Sequence, residues 1–160
     1  MLDAQGYKKL SIAFHCSKPS GESVPQGKIT APWLTTPDEY LDMWYSKLST
    51  GILEVDNQHG NIYSITLLYE EDKDSANEQK WLDMIFNTTR LHFECEEVLL
   101  SNKMSSKHLE EHREFTEHLK VLLAEREKQE MSKLDFINSM RGLLISHVTE
   151  FDSKFKELIE

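Results

Sequence analysis

No proline follows Pro37 in this chain of 160 residues. Proline removes an amide that a helix interior needs and clashes with the preceding turn, so its absence leaves room for long uninterrupted helices. Beyond residue 52 the apolar residues recur every three or four positions, the period of one helix face. Four amphipathic segments result. The first runs from about Val55 to Glu71. The second starts after Ser75, which with Glu78 makes a capping-box signature, and it carries Trp81, Ile85, Thr88, His92, Cys95 and Leu99 on one face. The third opens after Ser105 or Ser106 and carries His108, His112, Phe115, Leu119 and Leu122. The fourth opens after Ser132 and carries Ile137, Met140, Leu144, His147, Phe151, Phe155 and Leu158. Short polar joints make neighbouring helices antiparallel. The expected fold class is therefore all-α, an up-down-up-down four-helix bundle with a proline-rich N-terminal extension.

That extension covers residues 1–43, and the bundle residues 44–160. Pro19, Pro25, Pro32 and Pro37 are all of the prolines, and Gly6, Gly21 and Gly27 lie among them, a loop-rich composition. A short strand is expected around Leu10 to Phe14. Pro37-Asp38-Glu39 is placed to open a short helix towards Trp44.

The formal net charge is -10, and no block of lysine or arginine interrupts it. Such a surface repels phosphate backbones and anionic lipid, so neither nucleic acid nor a membrane is an expected partner. No segment approaches the roughly 20 apolar residues of a membrane span. The first residues have no apolar stretch of the kind a secretory signal carries. Cys16 and Cys95 lie far apart in sequence and make no disulfide framework, which points to a reducing, cytoplasmic setting.

Of the seven histidines, His59, His92, His108, His112 and His147 fall on inward faces. His92 and Glu96 are four apart on one stripe, and His108 and His112 repeat that spacing. Asp152 follows His147 by five residues, about 140° around an ideal helix. Either the helix widens into a π-type turn or Asp152 enters from the flank. One buried histidine is ordinarily a core residue with a hydrogen bond. Five of them with two acids is another matter, because each unpaired buried polar group costs roughly 1–3 kcal/mol. Metal ions repay that cost, since imidazole suits iron or zinc and a carboxylate bridges two cations. His15, in the extension, and His118, on the flank of the third segment, read as solvated.

From residue 44 to 160 the chain resembles bacterial hemerythrins. The stretch Trp44-Tyr-Ser-Lys-Leu-Ser-Thr-Gly-Ile52 followed by Asp56-Asn-Gln-His59 is similar to that family's entry into its first helix. His92 with Glu96, His108 with His112, and His147 with Asp152 resemble its remaining ligand pairs, in the same order. The resemblance implies two iron ions per chain in an oxo- or hydroxo-bridged centre. His108, His112 and His147 would hold one iron, and His59 and His92 the other, which keeps an open site for dioxygen. Glu96 and Asp152 would bridge the pair. Ile62, Phe93, Leu143, Leu144 and Val148 would wall the oxygen pocket. Family members usually carry a tryptophan at the position of Leu143.

The implied activity is reversible dioxygen binding rather than catalysis. A ferritin-like di-iron oxidase would use two Glu-x-x-His pairs, and no histidine here has a glutamate three residues before it. The alternative within the same chemistry is a sensor of oxygen, nitric oxide or redox state that acts through a partner protein, with the extension as the docking element.

Overall fold

The computed structural model describes residues 10–13, 28–31 and 48–159, with side chains from 48 to 157. The two short stretches form an antiparallel ladder, β1 (Leu10–Ala13) and β2 (Lys28–Ala31), with Leu10 opposite Ala31 and Ala13 opposite Lys28. The strand expected around Leu10 to Phe14 is thus present at its core. The helix expected from Pro37, together with His15 and Trp44, lies outside the described residues.

Four long helices follow: α1 (Leu53–Glu71), α2 (Glu78–Leu99), α3 (Ser106–Glu127) and α4 (Lys133–Glu150). A short α5 (Phe155–Ile159) ends the described residues. Helices α1 and α3 each pack on both α2 and α4, which closes a ring of four. Side chains fix the directions. Gln79 at the start of α2 reaches Glu127 at the end of α3, 3.2 Å away. Lys133, at the start of α4, donates to the Asp72 carbonyl just past α1, at 2.6 Å. Successive helices are therefore antiparallel.

Serines start two of the helices as the sequence predicts. Ser105 Oγ accepts the His108 amide at 3.1 Å, and Ser132 Oγ accepts the Asp135 amide at 3.0 Å. The capping box at Ser75 does not form. Asp74 accepts the Ala76 amide instead and starts a 3-10 turn over Ser75–Asn77, from which α2 continues. Glu78 is drawn across the bundle, where Tyr69 and Arg126 both donate to its Oε1, so it is not available to cap. Before α1, Gly51 turns the chain at φ 80°, a conformation that favours glycine. Buried Asp56 then ties that turn down, accepting from the Thr50 amide (2.7 Å), Thr50 Oγ1 (2.8 Å) and Ser49 Oγ (2.8 Å).

The interior is divided along its length. The end where α1 and α3 finish is filled by Tyr69, Leu82, Ile85, Leu119, Phe136, Ile137 and Met140, all essentially inaccessible. The opposite end, where α1 and α3 begin, buries polar groups.

Candidate metal centre

Antiparallel packing explains why the polar groups meet. His59 lies early in α1, His92 and Glu96 late in α2, His108 and His112 early in α3, and His147 late in α4. All are thus at one end. Asp152 joins them by a local break. Helix α4 stops at Glu150, Phe151 takes φ -119° and ψ -63°, and a 3-10 turn over Asp152–Lys154 carries the carboxylate inward. The helix does not widen into a π-type turn; it ends, and Asp152 enters from beyond it. Every one of the seven side chains is between 0 and 4% exposed.

They form two overlapping groups. Glu96, His108, His112, His147 and Asp152 are one, and His59, His92, Glu96 and Asp152 the other, each with its ligand atoms within 4.8 Å of one another. Both carboxylates are shared. Asp152 Oδ1 lies 2.9 Å from His108 Nε2 and 3.1 Å from His147 Nε2, while its Oδ2 lies 2.8 Å from His59 Nε2. Glu96 Oε1 lies 3.3 Å from His108 Nε2, and its Oε2 lies 3.2 Å from His92 Nε2. The two nitrogens His59 Nε2 and His92 Nε2 are 3.1 Å apart. Two donors at right angles on one ion, each roughly 2.1 Å from it, stand about 3.0 Å apart. These spacings are therefore those of neighbouring ligands.

The protein leaves several of these atoms without hydrogen bonds. Both oxygens of Glu96 and of Asp152, and the Nε2 atoms of His108, His112 and His147, are buried and find no such partner among protein groups. Orphaned acceptors at this density are costly in a protein interior. A cation at each group satisfies them together, so the donor set fits metal binding.

Neighbouring residues set the histidine tautomers. Gln58 Oε1 lies 2.7 Å from His92 Nδ1, so that nitrogen carries the proton and Nε2 keeps its lone pair. Glu97 Oε1 does the same for His112 Nδ1 at 2.8 Å. Burial, then the charge of His59, pushes the His92 imidazolium well below its ordinary range. Burial, then His147 and His108, brings His112 down to about 3. Both rings are thus neutral, as ligands must be. Burial and the adjacent Asp152 carboxylate raise Glu96 well above the usual carboxylate range. Burial opposes ionisation of Asp152 too, but the imidazoles of His108, His147 and His59 outweigh it and hold the group well below that range.

Aromatic rings close the surroundings. Phe93 stacks on His112 at 4.1 Å between centroids and meets His147 edge-on at 5.2 Å, so it shields mainly the three-histidine group. Ile62, Leu144 and Val148 are buried as expected. Leu143 is only half-buried and packs on the outside of the core rather than within it, because it sits one helical position off the inward stripe of Leu144 and His147. His118 is exposed, as expected.

Sequence reading missed Gln58 and Glu97, although each is next in the chain to an expected ligand. The signal available was chemical: a ligand histidine needs an acceptor for its second nitrogen. One expectation is corrected. Cys95 is disulfide-bonded, against the expectation that the cysteines make no disulfide framework. Cys95 Sγ also accepts from Gln58 Nε2 at 3.2 Å, which links it to His92 through one side chain.

No helix among the described residues is long and apolar enough to cross a membrane. No protein-family model, curated protein or solved structure matches the chain.

Proposed function

We propose that this chain is a hemerythrin-like non-haem di-iron protein that binds dioxygen reversibly. The observation carrying this reading is the unequal sharing of donors: three histidines in one group, two in the other, and both carboxylates common to the two. A closed zinc site is satisfied by four ligands. Five donors on one side suit a metal that prefers six, and mixed imidazole and carboxylate ligation suits iron.

When bound, the iron pair would supply the electrons that reversible dioxygen binding draws on, one from each ion. The chain's own residues do the rest. His108, His112 and His147 would fill more of one ion's sphere, so an external ligand would find room on the side of His59 and His92. Gln58 and Glu97 hold His92 and His112 with Nε2 inward. Ile62, Leu144 and Val148 exclude water, which favours a neutral diatomic over a charged ligand.

The test is to load the protein anaerobically with ferrous iron, then admit and remove dioxygen. Two irons per chain and a visible charge-transfer band that appears and disappears with dioxygen are expected. Glu96→Ala and Asp152→Ala should each retain little iron while circular dichroism still shows helix. One tightly held zinc per chain, or no reversible band, would sink the assignment.

A further inference from the structure

A cavity of about 510 Å³ opens at the ligand-bearing end of the bundle, and its position singles it out. Lys103, Lys107 and Lys154 rim it, Phe151 and Phe155 form its wall, and His108 lies at its floor. The lysines are exposed, whereas His108 is 4% exposed. The His108 ring stacks on Phe155 and tilts against Phe151, each with centroids 5.2 Å away. A candidate iron ligand therefore itself lines the cavity, nearly covered by its neighbours. Glu150 also lines the cavity, and the Ser146 hydroxyl donates to it at 3.2 Å, so the rim is not uniformly positive. Even so, three lysines converge here on a chain whose net charge is -10.

That contrast has a physical consequence. An acidic macromolecule is repelled by the chain as a whole and attracted at this mouth, so charge both orients it and selects the docking face. The face lies over His108, which belongs to the group with three histidines, not over the side where an external ligand finds room. Dioxygen binding does not need this entrance. Outer-sphere electron transfer needs no open coordination position, only a close approach to a ligand ring.

We propose that this cavity is the docking site of an acidic one-electron donor protein, which passes electrons to the metal pair through the His108 ring. The inference rests on the di-iron reading above. Two successive donors, each oxidised by one electron, would return two ferric ions to the ferrous state, and no bond to the protein is made or broken.

The test follows bleaching of the ferric charge-transfer band in stopped flow, with a reduced plant-type ferredoxin as the acidic donor and [Ru(NH3)6]2+ as the cationic one. Reduction by ferredoxin should slow as salt rises. In the K103E/K107E/K154E variant it should fall by about tenfold or more at low salt, with no fall for the cationic donor. The control K80E/K120E/K128E, which reverses exposed lysines elsewhere, should change little. A second measurement needs no turnover: [Cr(CN)6]3- should broaden the backbone amide signals of residues 103–108 and 150–156 selectively, in iron-loaded and iron-free protein alike. Ferredoxin rates that rise with salt, or fall equally in the control, would overturn the proposal. So would broadening at those amides with ferredoxin rates indifferent to charge reversal, since the cavity would then take small anions only. Failure of the di-iron reading looks different, because no ferric band would be present to bleach.

Discussion

Gln58 has two contacts that make it the most informative single residue outside the ligand set. Its oxygen fixes His92, and its amide nitrogen reaches Cys95. Removing the acceptor frees the His92 ring to rotate and to carry its proton on the wrong nitrogen. Gln58→Leu should therefore weaken iron binding by roughly 10- to 100-fold, while Gln58→Glu, which keeps an acceptor, should lose less. Competition with a chelator measures both. Unchanged affinity in the leucine variant would mean that the ring is oriented by something else. A second residue-scale prediction concerns Tyr69, which donates to Glu78 at the apolar end. Burial, then that hydrogen bond, raises its phenol from 10.0 to about 12. The neutral form is thus favoured in the folded state. Its stabilising effect is fully present below pH 10.0 and lost as pH climbs through about 12. Ultraviolet titration should show a tyrosine ionising late, near pH 12, and Tyr69→Phe should remove that step. A late step that survives in Tyr69→Phe would show that Tyr69 is not the group held back.

Helix ends carry most of the difference between what could be read from sequence and what could not. Helix α3 finishes in a Schellman turn, with the Glu130 amide on the Glu125 carbonyl (2.9 Å) and the Gln129 amide on that of Arg126 (3.0 Å). Gln129 takes φ 59°, a left-handed conformation that glycine adopts without strain. Gln129→Gly should stabilise the protein by roughly 0.5–1 kcal/mol, seen as a raised Tm, because relief of strain outweighs the added freedom of the unfolded chain. A lowered Tm would show that the glutamine side chain contributes more than the strain costs. The helices themselves were legible because their period and the serines at 105 and 132 are local signals. The start of α2 was not, since Glu78 is claimed by Tyr69 and Arg126 across the bundle, and no local pattern records a tertiary competitor. The break after Glu150 was half legible. A five-residue step from His147 to Asp152 demanded an irregularity, but its form depended on the backbone.

At the scale of the whole molecule, the seven residues that meet in the buried cluster were legible as a set, although no single one of them was compelling. Buried acids and imidazoles spread over four helices only make sense together, and antiparallel packing then forces them to one end. The cavity above His108 was not legible. Lys103, Lys107 and Lys154 stand on different elements, and each alone is an ordinary surface lysine. The same holds for Gln58 and Glu97, whose roles depend on rings from other helices.

The lengthwise division of the interior has a consequence for how the molecule would take up metal ions. Without them, one half of the bundle is a sealed apolar block and the other a set of groups that repel or lack partners. Local opening follows the weakest packing. Amide hydrogen exchange in the iron-free protein should therefore be fast around residues 92–96, 108–112 and 147–152, and slow around 65–69, 82–85 and 136–140. Iron should quench the first set by orders of magnitude and leave the second nearly unmoved. Uniform exchange along each helix would mean that the two halves open as one. If they do not, the apolar half is the part that folds unaided, and the ligand half stays ajar until metal arrives, which gives the ions a way into a site that is closed once they are in it.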